Sequence, residues 1–441
     1  MKAPRPTRRF TRREILNYSA RAALAFPTAN VALAMMSCGG SSTSVVPPPP
    51  PVSDDAFLDE LQQAIFLFFW EQASPTTGLV KDRALAAGND TSTVASIAAT
   101  GFGLTALCIG HSRGYGDATQ IQTRVTNTLS FLLNQLTNVN GFFYHFIDMN
   151  SGARVWSSEV SSIDTSILLC GVLTCRQYFQ DAQIQSLASQ IYDRVNWPWM
   201  LNGGSTFSMG WTPENGFITA RYDTYCELMM LYLLAIGSTT NPVPASAWNA
   251  FTRPVFTYQG LTYITNLYAP LFIHQYSHAW FDFRNKSDQY ANYFNNSVTA
   301  TQAHIQFCLS LQSQFKDYQT NLWGITASDS ANGYTVWGGP PAMGSIDGSI
   351  VPCAAGGSLP FLSTDCIAVL RNIRTLHPQT WQRYGYLDAF NPLTGWYDSD
   401  VLGIDAGITM LMAENERSAF VWNTFMANPE AQSAFSAVGL T

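Results

Sequence analysis

The sequence predicts an all-helical protein, a toroid of paired α-helices with short β-hairpins in the loops on one face. Two observations carry this. Apolar residues recur at helical spacing in segment after segment, and clusters of Gly, Pro and Asn separate the segments. Strand signals, by contrast, are sparse. The helical segments are 55–72, 96–112, 117–137, 163–180, 182–194, 223–237, 297–314, 363–376 and 405–427. GFFYHFID (141–148), followed by Asn150-Ser151-Gly152 and VWSS, reads as one hairpin. The stretch 320–360 is glycine-rich with short extended pieces. There is no fixed-period repeat, so the pairing of helices rests on the number of segments.

Residues 1–37 read as a targeting segment rather than part of the fold. Thr11-Arg12-Arg13-Glu14-Ile15-Leu16 resembles a twin-arginine export motif, and a modestly apolar stretch from Ala20 to Met36 follows. Pro27 and Asn30 interrupt that stretch, which is too short for a comfortable membrane span. Ser37-Cys38-Gly39 then resembles a lipoprotein cleavage box with Cys38 as the lipidated residue. The expected location is periplasmic or membrane-anchored. Residues 38–53 form a Ser/Pro linker whose proline run favours a stiff polyproline spacer, and a single domain occupies 54–441.

Charge narrows the partners. The formal charge is −7, but the leader holds seven bases against one acid. Without it, 16 bases face 29 acids, a net charge of −13. Such a body repels phosphate backbones and anionic lipid, which excludes nucleic acid and disfavours polyanionic glycans. Neutral polysaccharides meet no such barrier. Aromatic residues reach 13%, and many tryptophans fall in loops, where they suit stacking on the apolar faces of sugar rings. Seven cysteines remain beyond Cys38, several in apolar helical runs, so no disulfide framework is required. The chain is expected to act as a monomer.

Three segments carry candidate chemistry. In Trp156-Ser157-Ser158-Glu159-Val160-Ser161-Ser162-Ile163-Asp164, Ser161 or Ser162 is a plausible helix N-cap, which puts Asp164 in the first turn, where the helix dipole favours its ionised form. Glu159 falls on the preceding loop. In the second segment, Trp211 and Glu214 precede Asp223, read as a helix start, with Glu227 one turn inside. The apolar neighbours of Glu227 would favour a protonated carboxyl. One ionised and one protonated carboxyl are what glycoside hydrolysis requires, although both residues also have ordinary structural readings. The third segment is PLFIHQYSHAWFDFR. His274 and His278 at i, i+4 lack a third ligand, so no metal is expected, and His274, Gln275, His278, Trp280, Asp282 and Arg284 read as partners for sugar hydroxyls.

With these residues in view, the chain resembles the glucoamylase-like family of bacterial proteins and the endo-β-1,2-glucanases of glycoside hydrolase family 144. The resemblance is carried by SSIDTSILLCGVL, YDTYCELMMLYLLAIGS, PLFIHQYSHAWFDFR, NLWGITASDSANGY, VPCAAGGSLPF, YGYLDAFNP and LGIDAGITMLMAENERS, and spans nearly all of 54–430. It implies an (α/α)6 barrel, endo-hydrolysis of β-1,2-glucan with inversion, and no cofactor. It implies that Asp164, Glu159 and Glu227 line an acidic cleft with Glu214 nearby. Trp156, Trp211, Asp223, Asp329, Trp337, Asp347 and Asp405 are further sugar-binding candidates. Which carboxylate is acid and which is base stays open. The alternatives are a transglycosylase or lyase on the same toroid, or a non-catalytic glycan-binding lipoprotein.

Overall fold

The computed structural model describes residues 52–441 except Asn89 and Leu267. The leader, Cys38 and most of the linker lie outside the described residues. The described chain is mostly helical. Its helices are α1 (Asp54–Glu71), α2 (Ile97–Arg113), α3 (Ala118–Asn134), α4 (Ser162–Tyr178), α5 (Ala182–Asp193), α6 (Trp197–Leu201), α7 (Met229–Gly237), α8 (Tyr293–Ser310), α9 (Pro352–Gly356), α10 (Ser363–Leu376), α11 (Gly403–Ser418), α12 (Phe420–Phe425) and α13 (Pro429–Val438). None of them is long and apolar enough to cross a membrane.

The helices fall into two kinds. In α2 every residue from Ile97 to Gly110 is buried, and α7 is buried from end to end. A helix that is buried all round belongs to the core. In α3, by contrast, Ile121, Val125, Leu129 and Leu132 form one buried stripe, as in a helix that covers such a core. Helices α2 and α4 pack closely, and two glycines allow it. A Cβ at Gly171 would overlap the carbonyl oxygen of Gly101, and one at Gly101 would overlap that of Ile167.

Short antiparallel strands pin the starts of the core helices. Val94–Ser96 pairs with Phe146–Asp148 and leads into α2. Val160–Ser161 pairs with Gly210–Thr212 and leads into α4. Asp400–Leu402 pairs with Arg83–Leu85, in the register Arg83↔Leu402, and leads into α11. Each pairing fixes a helix N-terminus by backbone hydrogen bonds to a distant segment.

The sequence-based helix boundaries hold within a few residues, with two exceptions. Helix α7 starts at Met229 rather than at Asp223. The segment before it is held extended because Tyr225 N–H donates to Thr252 O and Thr252 N–H to Asp223 O. The segment expected to be continuous over 405–427 breaks at Ala419, whose left-handed φ of 56° ends α11. None of the seven cysteines of the described residues forms a disulfide.

Candidate active site

Asp164 lies in the first turn of α4, as its capping pattern indicates. Ser161 Oγ accepts from Asp164 N–H at 3.2 Å and donates to Asp164 Oδ2 at 2.5 Å. His145 faces it from the strand Phe146 begins, with Nδ1 3.3 Å from Glu159 Oε1 and 3.6 Å from Asp164 Oδ2. Burial disfavours a charged imidazole here. The charge of Asp164, the hydrogen bond and charge of Glu159, and the charge of Asp82 outweigh it, and the His145 pKa is raised. Sequence reasoning missed His145, because a histidine between two short apolar strands gives no local signal.

Glu227 reaches the same place from the segment before α7. It is buried, and its backbone carbonyl accepts from Ser277 Oγ–H at 2.8 Å. Glu227, Glu159, Asp164, His145, Tyr222 and Tyr276 line one cavity. Two residues 63 positions apart in the chain are thus brought to one cavity. The hydroxyl of Tyr276 also lies 3.4 Å from Asp405 Oδ1, in the first turn of α11, and so connects this cavity to a second group of acids.

That group holds Asp329, Asp388, Asp398, Asp400 and Asp405. Arg83 neutralises part of it. Its Nη1 donates to both oxygens of Asp329, at 2.8 and 2.7 Å, and its Nε to Asp82 Oδ2 at 2.8 Å. Asp388 is buried, and its Oδ2 accepts from Asp329 N–H at 2.7 Å. Burial, followed by the charges of Asp405 and Asp329, holds Asp388 well above the usual carboxylate range. Asp398 is pushed up to about 7 by burial and the charges of Asp329 and Asp400. Asp388 and Asp398 are further residues that sequence reasoning missed.

Two clusters among the described residues offer ligand atoms close enough for a metal ion, His145–Glu159–Asp164 and Asp329–Asp388–Asp398. In each the charge is already engaged within the protein. Ser161 occupies Asp164 Oδ2, and Arg83 covers both oxygens of Asp329.

The other sequence candidates divide. Trp156 and Asp223 are exposed, Trp211 is half-buried, and the exposed Glu214 pairs with Arg154 at 2.6 Å. Asp347 caps its own turn by accepting from Ser349 N–H at 2.9 Å. The PLFIHQYSHAWFDFR reading needs correction, because four of its residues belong to the core. His274 Nδ1 meets Tyr225 Oη at 3.1 Å and His278 Nε2 meets Ser297 Oγ at 3.1 Å. Gln275 Nε2 donates to Ala354 O and Ser358 Oγ, and Trp280 Nε1 to Thr105 Oγ1. Burial depresses both histidines to about 3, so both are neutral. They sit on successive 3-10 turns rather than on one α-helix face. Asp282 and Arg284 pair with each other, and the guanidinium stacks over Trp422 on α12, beyond the C-terminal end of α11 from Asp405. Trp337 is also buried, with Nε1 donating to Ser328 Oγ at 3.1 Å, so it supports the Asp329 loop rather than facing sugar.

Known proteins similar to this chain fall into one group. The family model described as "Putative glucoamylase" matches residues 219–429. Over 426 residues the chain is 27% identical to an exo β-1,2-glucooligosaccharide sophorohydrolase (non-reducing end) of Parabacteroides distasonis. The match covers 88% of this chain but only 58% of that longer relative. A crystal structure described as a putative glucoamylase from Bacteroides uniformis superposes with a TM-score of 0.84 at 26% identity, covering 89% of this chain and 99% of that one. An endo-β-1,2-glucanase from Chitinophaga pinensis, in complex with sophorotriose and glucose, gives a TM-score of 0.81 at 27% identity, with 89% and 99% covered. The chain therefore carries the "Putative glucoamylase" signature in its C-terminal half and is similar along nearly its whole described length to β-1,2-glucan-degrading enzymes, as its sequence motifs indicate.

Proposed function

We propose that the protein is a glycoside hydrolase that cleaves β-1,2-glucan internally with inversion. Glu227 is the leading general acid, and Asp164 or Glu159 is on the base side. The observation that carries this reading is the convergence of three carboxylates with His145 on one cavity. Asp164 sits in the first turn of α4 with its N–H on Ser161 Oγ, whereas Glu227 is buried before an apolar helix. The likeness to an endo-β-1,2-glucanase and to a sophorohydrolase supports the linkage. The first of these supports the endo mode, whereas a single sophorose product would favour the second; inversion is part of the proposal and is read from the anomer of the product.

An (α/α)6 barrel is part of the proposal. Six core elements contact one another in a closed cycle: α2 with α4, α4 with α7, α7 with the turns at 271–279 through Ser277, those turns with α9 through Gln275, α9 with α11, and α11 with α2. Helices α3, α5, α13, α8, α10 and α1 each pack outside one of them. Asp164, Glu227 and Asp405 all lie at or just before the start of a core helix, which gathers the acids at one mouth.

The test is to measure turnover and melting temperature together for Glu227→Gln, Asp164→Asn and Glu159→Gln. A residue that transfers a proton in the reaction loses about 10²–10⁴-fold in rate while the fold holds. Near-normal turnover with a lowered melting temperature in Glu227→Gln makes it a structural acid.

A further inference from the structure

The turn that carries Trp156 is built against the usual preferences of both backbone and side chain. Trp156 and Ser157 are consecutive non-glycine residues with left-handed φ of 55° and 52°. Bulky residues rarely adopt this conformation, and it persists only where the surroundings impose it. Here Arg154 imposes it. Its Nε donates to Ser158 O at 2.5 Å and its Nη2 to Ser157 O at 2.6 Å. The same guanidinium forms a two-pronged pair with Glu214, at 2.6 and 3.0 Å, on the turn between the strands Gly210–Thr212 and Gly216–Phe217. It also lies over the ring of Tyr144, 5.0 Å from its centroid.

This clamp places the Trp156 side chain in solvent. It is 61% exposed, and it is the one tryptophan among the exposed large hydrophobic residues of the described chain. Its inner edge meets Phe146 at 5.2 Å, and Phe146 stacks on His145 at 3.8 Å and 18°. A run of three rings therefore leads from solvent to the imidazole that touches Glu159 and Asp164. The indole at the end of this run offers an apolar face to solvent, two ring contacts away from the His145 that lines the cavity, and Arg154 and Glu214 beside it supply a donor and an acceptor. The C–H face of a neutral pyranose with hydroxyls at its rim matches that surface.

We propose that Trp156 is the platform of an outlying glucosyl subsite of the cleft, and that Arg154, held by Glu214, is the positioning residue that presents it. This rests on the reading of the protein as a glucan hydrolase. The subsite takes a neutral β-linked glucosyl unit away from the bond that is cut, so it contributes to holding the chain rather than to the chemical step.

The test uses the full chain with β-1,2-glucan polymer, comparing wild type with Trp156→Ala, Trp156→Phe, Arg154→Ala and the double variant Arg154→Ala/Trp156→Ala. Loss of one stacking platform raises KM roughly two- to twelvefold, with kcat and melting temperature nearly unchanged. Trp156→Phe retains most of the affinity. Arg154→Ala raises KM alone but adds little in the double variant, because both changes remove the same contact. An unchanged KM in Trp156→Ala overturns the subsite, as does full additivity in the double variant. A wild-type dimer that Trp156→Ala converts to a monomer also overturns it, by making the residue a self-association contact. If wild type neither binds nor cuts any glucan, the functional reading fails together with the subsite. If wild type cuts and Trp156→Ala cuts equally well, the subsite alone fails.

Discussion

Replacing Asp398 by Asn should stabilise the protein modestly near pH 5 and more strongly above neutral pH. In the folded chain burial and the charges of Asp329 and Asp400 hold Asp398 at about 7, against an ordinary value of 3.8. Between these values the unfolded chain has released its proton while the folded chain keeps it. Stability therefore falls as pH rises through this window, by about 1.4 kcal/mol per unit, until the folded group also ionises. The accumulated cost near pH 8 is on the order of 2–4 kcal/mol. An asparagine carries no charge to desolvate. Its carbonyl can still accept from Ser399 and Asp400 N–H, as Asp398 Oδ1 does at 2.7 and 3.3 Å. Its amide nitrogen would occupy the position of Oδ2, which has no hydrogen-bond donor in the folded chain, and would donate toward the neighbouring carboxylates. Urea unfolding of both proteins at pH 5 and pH 8 measures the effect. The stability gap should widen toward pH 8 in favour of Asp398→Asn. A gap of equal size at both pH values, or a variant less stable at pH 8, refutes the charge argument.

Further predictions concern packing and location. Gly171→Ala must push α4 away from the Gly101 carbonyl on α2, so it should lower stability by about 1–3 kcal/mol or more, read from the urea midpoint. An unchanged midpoint would mean that the two helices are not held at this contact. If Cys38 is a lipid anchor, Cys38→Ser should move the protein from the membrane to the soluble fraction of the producing cell, and unchanged membrane association counts against it.

The parts of the site that were legible in the sequence depend on local chemistry. Ser161 and Asp164 announce a helix start because an N-cap and a first-turn acid lie within four residues of each other. Glu227 was found although its helix was misplaced. Its segment reads as helical, but the pairing of Tyr225 with Thr252 and the burial of the Tyr225 ring beside His274 override that preference. The errors in the PLFIHQYSHAWFDFR segment have a common cause. A sequence displays histidine and glutamine side chains but not the groups opposite them, and Ser297, Ser358 and Thr105 come from distant segments. The second acid group was illegible for a related reason. Arg83 meets Asp329 only because its strand pairs with Asp400–Leu402, more than 300 residues later. Asp388 lies within the motif YGYLDAFNP, and Asp398-Ser399-Asp400 precedes an apolar helix, so both leave a trace in the sequence. The break at Ala419 left none, since no glycine marks that left-handed residue.

The central claim is hydrolysis of β-1,2-glucan, and identification of the products from a panel of β-1,2-, β-1,3-, β-1,4- and β-1,6-glucans tests it most directly. Purified protein should release reducing ends from the β-1,2-linked polymer alone, as a range of oligosaccharides from the earliest times, with the newly formed ends appearing first as the α-anomer. Sophorose as the single early product would replace the endo mode by an exo one. Cleavage of a different linkage, an unsaturated product, or no cleavage of any polymer would contradict the claim.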